Sequence, residues 1–285
     1  MKIFRWIVKK SIGWIVGVMT LGVCIRSCQI VWLSFVAQSY HIPTGSMFPT
    51  IMPGDRVLVN KLLFGPRVEW KGQFYRFPGL RPIQRGDILV FNFPVDKRRQ
   101  KILYQPNYFY CKRCVGLPGD SVSVVGGYFR NTHQRGRIGY LRGQRMLANY
   151  ADFNMSDSVK RVFPDAAVQW TIKDWGPVFV PKAGISWRVD SVSYSIYRLI
   201  LDFETGEHTR FQQGKLIVGN DTMSSYTFTH NYYFCCGDNL VQSYDSRYWG
   251  FIPEEFIVGI TQRIFYSRCS NLNSENRRRF LKPLY

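Results

Sequence analysis

Between Lys10 and Asp55 the chain carries a single charged side chain, Arg26. A water-facing element of that length would show a charged face, so this stretch must enter a bilayer or a deep core. Ser11 to Ile25 has no charge at all. Fifteen helical residues reach only about 22 Å at 1.5 Å each, whereas a bilayer core is ~30 Å thick. The helix is therefore expected to run through Arg26 into Ile30–Ala37. An arginine near a helix end can snorkel to the headgroups. Lys2, Arg5, Lys9 and Lys10 precede the span, and the positive-inside rule keeps them cytoplasmic. The body beyond the span then faces outward. A cleaved secretory signal competes with this reading, because Ala37-Gln38-Ser39 is an acceptable small-x-small site. The length of the segment and its internal arginine favour a retained anchor.

The remainder reads as a folded, mainly β body. Short apolar runs at Arg56–Asn60, Asp87–Phe93, Tyr108–Gly116 and Ser121–Val125 are separated by Pro-Gly and Gly-Asp turns. From Gly126 to Asn231 polar and aromatic residues mix without a motif, as in an inserted lobe. Strand-like patches lie at Trp187–Val192, Tyr194–Leu201 and Lys215–Val218. The expected layout has a basic N-terminus and anchor at 1–38 and a β core at 39–125 and 232–270. A second β-rich lobe is inserted at 126–231. A basic tail at 271–285, with Arg277, Arg278, Arg279 and Lys282, is read as solvated. The formal net charge of +19 calls for an acidic partner. No nucleic-acid module is recognisable, and an exported body rarely meets DNA. Anionic phospholipid is the better partner.

Cys111-x-x-Cys114 suggests zinc or redox chemistry, but Cys235 and Cys236 are adjacent and poorly spaced for a second ligand pair. With Cys24, Cys28 and Cys269 the count is seven, no disulfide framework. The strand cysteines read as small apolar fillers.

Two runs carry chemistry. In His41-Ile-Pro-Thr-Gly-Ser-Met-Phe-Pro-Thr50, Ser46 sits in a turn bracketed by Pro43 and Pro49. Gly45 lets a substrate approach the backbone closely. In Tyr110-Cys-Lys-Arg-Cys-Val-Gly-Leu-Pro-Gly-Asp120, Lys112 lies in an apolar strand. A lysine in apolar surroundings loses affinity for its proton, and a neutral lysine can take a proton from a serine hydroxyl. His41, His133, His208 and His230 form no recognisable triad motif. On a strand Lys112 and Arg113 point to opposite faces, so one can be buried while the other finds an acidic partner. The pair suggests a Ser-Lys hydrolase.

Together these segments resemble the type I signal peptidases, membrane-anchored enzymes that remove secretory signal sequences. The resemblance covers the anchor, Ile42–Ile51, Gly54–Lys61, Arg85-Gly86-Asp87, the lysine strand through Asp120, and Gly237–Gly259. It leaves out the lobe between. It implies Ser46 as nucleophile and Lys112 as general base. The Ser46 N–H and the Thr44 hydroxyl would form the oxyanion hole, where the family usually has serine at the Thr44 position. Ser243 would orient the lysine. Asp238, Asp245, Arg247 and Arg113 would form a supporting polar network. Leu240 replaces a family arginine, which leaves the ion pairing around Asp245 open. Ile42, Met47, Ile51, Tyr110 and Cys111 would flank shallow pockets for small side chains, selecting Ala-x-Ala-like sites. The resemblance implies no metal or cofactor. It also implies signal peptides as substrates, a link to the secretion translocon and a place in the bacterial inner membrane. A dedicated processing peptidase with one substrate is the nearest alternative. A non-catalytic membrane-anchored assembly factor is the other, although a binding protein has no need of a desolvated lysine beside a serine.

Overall fold

The computed structural model describes residues 2–96, 100–134, 136–151, 162–164, 168–268 and 279–284, with residues 2–13 described for the backbone alone. An α-helix runs over Lys2–Val31 and closes in a π-helical turn, Trp32–Val36. Within it, Trp14–Val36 is the one helix among the described residues long and apolar enough to cross a membrane. Its 23 residues span about 34 Å at 1.5 Å each, so the helix passes through Arg26 as its length demands. Trp14 to Leu33 are all exposed, as a lipid-facing helix leaves them. Lys61 caps the far end. Its Nζ donates to the carbonyls of Leu33 (2.6 Å) and Ser34 (3.3 Å), and its backbone N–H to Val36 (2.9 Å). Carbonyls orphaned at the helix end are thereby satisfied, and the helix is tied to the body.

The body is built on a seven-stranded antiparallel sheet. Its order is Ala37–His41, Asp55–Asn60, Ile257–Ser267, Ile88–Asn92, Phe109–Gly116, Tyr232–Cys236 and Ile252–Pro253. Alternation of side chains divides the core. Ile88 and Val90 join Val57, Val59 and Ile264 in a small apolar cluster on one face. Leu89 and Phe91 join a large cluster on the other. Ile42, Met47 and Ile51 cover the small cluster, so the serine run forms the lid of that layer.

Among the described residues the inserted stretch builds no core of its own. Its Leu147, Trp175, Ile196 and Leu201 share the large cluster with Phe91, Phe234 and Phe256 of the main sheet. It is also more helical than the sequence reading expected. Tyr194–Leu201, read as strand-like, belongs to the α-helix Ser191–Thr205. A capping box between Asp190 and Ser193 starts that helix, and Gly206, at φ 72°, ends it. Ile196, Tyr197, Ile200 and Leu201 are its buried face, a 3.6-residue pattern that β-branched and aromatic composition disguised. Lys215–Val218 is a strand as expected.

Arg279 corrects the expectation of a solvated tail: it is 2% exposed. Cys269, Arg277 and Arg278 lie outside the described residues.

Candidate active site

The serine run is a closed loop. Ile42 N–H donates to the Asp55 carbonyl and Gly54 N–H to the Ile42 carbonyl, each at 2.9 Å. Inside that base, Phe48 N–H turns back to Gly45 and Ile51 N–H to Met47. Met47 and Ile51 are essentially buried and anchor the loop from beneath. Ser46 immediately precedes the first of these anchors. A neighbouring loop holds its carbonyl: Asn239 N–H donates to it at 3.1 Å, and Asn239 Nδ2 donates to the Gly45 carbonyl at 3.2 Å.

The lysine strand Phe109–Gly116 pairs with Ile88–Asn92 along Phe109 to Arg113. On its other side it meets Tyr232–Cys236 only from Arg113 to Gly116. Its first residues, Phe109 to Lys112, therefore have an unpaired edge among the described residues. That edge borders a cleft of about 520 Å³ at Ser46 and Lys112.

Lys112 is 3% exposed, and its Nζ is hydrogen-bonded to Ser46 Oγ. Burial pushes the Lys112 ammonium below its ordinary proton affinity. The Asp245 carboxylate opposes this in part, and the Arg247 guanidinium reinforces it. The Tyr110 ring centroid lies 5.6 Å from Nζ, and Tyr110 is itself stacked on Phe93. Burial also raises the Cys111 thiol to about 12, so Cys111 is an apolar wall beside the lysine.

Two buried ion pairs frame this pair. Arg113 makes a bidentate contact to Asp238, at 2.7 Å from Nε and 2.6 Å from Nη2. Asp238 Oδ2 also accepts from the Thr50 hydroxyl, which ties the serine loop to the lysine strand. Asp245 accepts from Gly237 N–H (3.0 Å), Arg247 Nε (2.9 Å) and Arg247 Nη2 (2.9 Å). Burial works to raise the Asp245 carboxyl, but the Arg247 charge and these hydrogen bonds hold it below the usual carboxylate range. Asp245 is thus paired without an arginine at position 240, although Arg247 Nη1 is buried with no partner among the described residues. Leu240 is buried in the large cluster, and its carbonyl accepts from Arg247 Nη2 at 2.7 Å.

Most of the expected residues meet here, with two differences. Ser243 reaches the site, since a Cβ on Gly237 would lie 2.2 Å from its Oγ and 2.4 Å from the Ser46 carbonyl oxygen. Its hydroxyl, however, hydrogen-bonds neither Lys112 nor any other group among the described residues. Ile51, expected to flank a pocket, is fully buried beneath the loop and does not line the cleft. Ile42, Met47, Thr44, Tyr110 and Cys111 do line it. Sequence reasoning missed Tyr108, Gln242 and Tyr244 in the rim. The aromatic run before Lys112 and the residues beside Ser243 were the available signals. The Ser46 N–H and the Thr44 hydroxyl make no hydrogen bond to the described residues. The six described cysteines are unpaired. No group of three or more His, Cys, Asp or Glu among the described residues is placed to hold a metal.

Known proteins resemble this chain along most of its length. Signal peptidase I of Buchnera aphidicola from Acyrthosiphon pisum is 28% identical over 244 residues, covering 84% of this chain and 71% of that protein. Signal peptidase I of Pseudomonas aeruginosa is 28% identical over 262 residues, covering 87% and 72%. A crystal structure of a signal peptidase I from Enterococcus faecalis overlaps 63% of this chain and 96% of its own, at 18% identity and a TM-score of 0.29. The family described as "Signal peptidase, peptidase S26" matches residues 11–266, which is nearly the whole chain, and the chain belongs to that family.

Proposed function

We propose that this chain is a membrane-anchored serine endopeptidase that cleaves signal peptides from exported preproteins. Ser46 serves as nucleophile and Lys112 as general base. The observation that carries the reading is the hydrogen bond between Ser46 Oγ and a lysine that is almost wholly buried and short of its ordinary proton affinity.

The substrate peptide lies in the cleft as an added strand on the unpaired edge at Phe109–Lys112, the mode by which sheet edges capture extended peptides. Neutral Lys112 takes the Ser46 proton as Oγ attacks the scissile carbonyl. The oxyanion forms beside the unpaired Ser46 N–H and the Thr44 hydroxyl, donors that cost no reorganisation when charge develops. Lys112 then gives its proton to the leaving amine, and the C–N bond breaks to leave an ester on Ser46. A water that loses its proton to Lys112 attacks the ester, and Lys112 returns that proton to Ser46 Oγ as the C–O bond breaks and the acid leaves. Ile42, Met47 and Cys111 fill the space next to Ser46, so only small side chains fit before the scissile bond, as in Ala-x-Ala-like sites. Asp245 acts on the lysine by its charge, and Ser243, whose buried hydroxyl has no partner among the described residues, is the residue assigned to orient it. Asp238, Arg113 and Arg247 hold the surrounding loops.

The anchor puts this chemistry at a bilayer surface. The orientation comes from Lys2, Arg5, Lys9 and Lys10, which stay cytoplasmic. The body then lies on the outer face of the bacterial inner membrane, where translocon substrates emerge and the basic surface meets anionic phospholipid. Preprotein processing by the wild type, Ser46→Ala and Lys112→Ala at matched expression tests the reading. Cleavage is expected from the wild type alone. Persistent cleavage by Lys112→Ala would remove the lysine from the mechanism.

A further inference from the structure

Residues 279–284 have no task in the acyl transfer, yet they pack against the loop that carries Ser46. They run beside the strand Ile257–Ser267. Leu281 N–H donates to Phe265, Ile264 N–H to Lys282 and Leu284 N–H to Gln262. Leu284 is buried in the small cluster with Ile42, Met47 and Ile51. Arg279 Nη2 donates to the Thr50 carbonyl at 2.9 Å and to Asp55 Oδ2 at 2.8 Å. Asp55 Oδ2 also accepts the Met52 N–H at 2.8 Å. One guanidinium therefore grips both ends of the limb by which the serine loop returns to the sheet.

As a source of stability this contact is poorly satisfied. Asp55 Oδ1 and Arg279 Nε are buried with no partner among the described residues, and a buried ion pair often gives no net stability over an apolar replacement. What the contact fixes is geometry. The Thr50 whose carbonyl it holds donates its hydroxyl to Asp238. Asp238 is held in turn by Arg113, the residue after Lys112.

We propose that Arg279 is a positioning residue: it sets the Thr50–Asp55 limb and, together with Leu284, holds Ser46 in register with Lys112. The proposal rests on the Ser46–Lys112 reading of the site. Arg279 touches neither substrate nor the reacting atoms and acts through the loop. A shift of ~1 Å in a reacting group can cost about a hundredfold in rate, so a loosened limb is felt in turnover before binding.

The test uses the full chain, a signal-peptide substrate and a melting curve for every variant. In folded Arg279→Gln, kcat is expected to fall roughly tenfold with KM little changed. The acid limb of the pH profile should move to higher pH, because water admitted beside Lys112 restores its proton affinity. Arg279→Lys, which keeps the charge but not the double contact, should lie between. Normal kcat and an unmoved limb in a folded Arg279→Gln, even one that melts lower, would make Arg279 merely structural and overturn the proposal. Should Arg279→Gln not fold, Arg279→Lys and Leu284→Ala decide by the same two readouts: reduced kcat with a shifted limb supports the proposal, and wild-type values overturn it. Failure of the underlying dyad would show differently, as cleavage by Lys112→Ala.

Discussion

Replacing Asp245 by Asn removes one negative charge from the centre of the site and leaves its shape almost unchanged. The Asn oxygen can still cap the short helix Ser246–Trp249, as Asp245 does through Arg247 N–H. What it loses is the charge that binds Arg247 at Nε and Nη2, in a pair whose two side chains are both 0% exposed. Removing one partner of such a pair costs about 3–5 kcal/mol. Because Asn retains an acceptor, the lower end applies, about 3 kcal/mol, a large share of a typical domain's ~5–15 kcal/mol. Urea unfolding should show it as a lower midpoint at unchanged slope. The sign with pH comes from a folded-state pKa held below 3.8. The Asp245 contribution is complete above that ordinary value and is lost as pH falls through the depressed one, so the gap between wild type and variant closes only in strong acid. Activity gives a second readout. Asp245 raises the proton affinity of Lys112 and Arg247 lowers it. With Asp245 neutral, the largest group that raises the lysine is gone while Arg247 still lowers it, and the acid limb of cleavage should move to lower pH even as kcat falls. A folded Asp245→Asn whose limb stays in place, or moves to higher pH, refutes the assignment of that limb to Lys112.

Lys112→Met should be inactive yet melt higher than the wild type at neutral pH. Between its lowered folded value and the ordinary 10.5, Lys112 binds more protons in the unfolded chain, so wild-type stability rises with pH through that window and the gap closes near its upper end. A variant that melts lower at neutral pH contradicts a desolvated lysine. Gly143→Ala probes the inserted stretch, because a Cβ there would lie 2.0 Å from the Asp238 carbonyl oxygen. Alanine ordinarily favours a helix by about 1 kcal/mol over glycine; here overpacking should reverse that to a loss of ~1–3 kcal/mol, with reduced cleavage. A stabilised and fully active Gly143→Ala would show that the helix Leu141–Asn149 does not buttress the Asp238 loop.

The parts of the site that were legible in the sequence are those whose chemistry is local. A lysine in an apolar strand declares its own desolvation, and a serine between Gly45 and Met47 in a proline-bracketed turn declares a fixed hydroxyl. The pairing of Arg247 with Asp245 stayed open, because position 240 carries Leu in place of the family arginine, and only the fold joins the two on one short turn. The role of Leu240 could not be read, because its contribution is a backbone carbonyl. The family resemblance placed Ile51 beside a pocket, whereas the hydrogen bond from Ile51 N–H to Met47 turns it under the loop. Tyr194–Leu201 was misread because its β-branched and aromatic content outweighed a capping signal that lies upstream of the patch, at Asp190.

By itself the sequence determined the anchor, the β character of the body and the residue types able to do Ser-Lys chemistry, because each of these arises from composition and short-range periodicity. Tertiary structure alone decided that Lys112 meets Ser46 across 66 positions of chain and that Arg113 meets Asp238 across 125. It alone turned the supposedly solvated Arg279 inward to Asp55, 224 positions away. A buried charge finds its partner through the pairing of distant strands, and that pairing is set by the packing of the whole core.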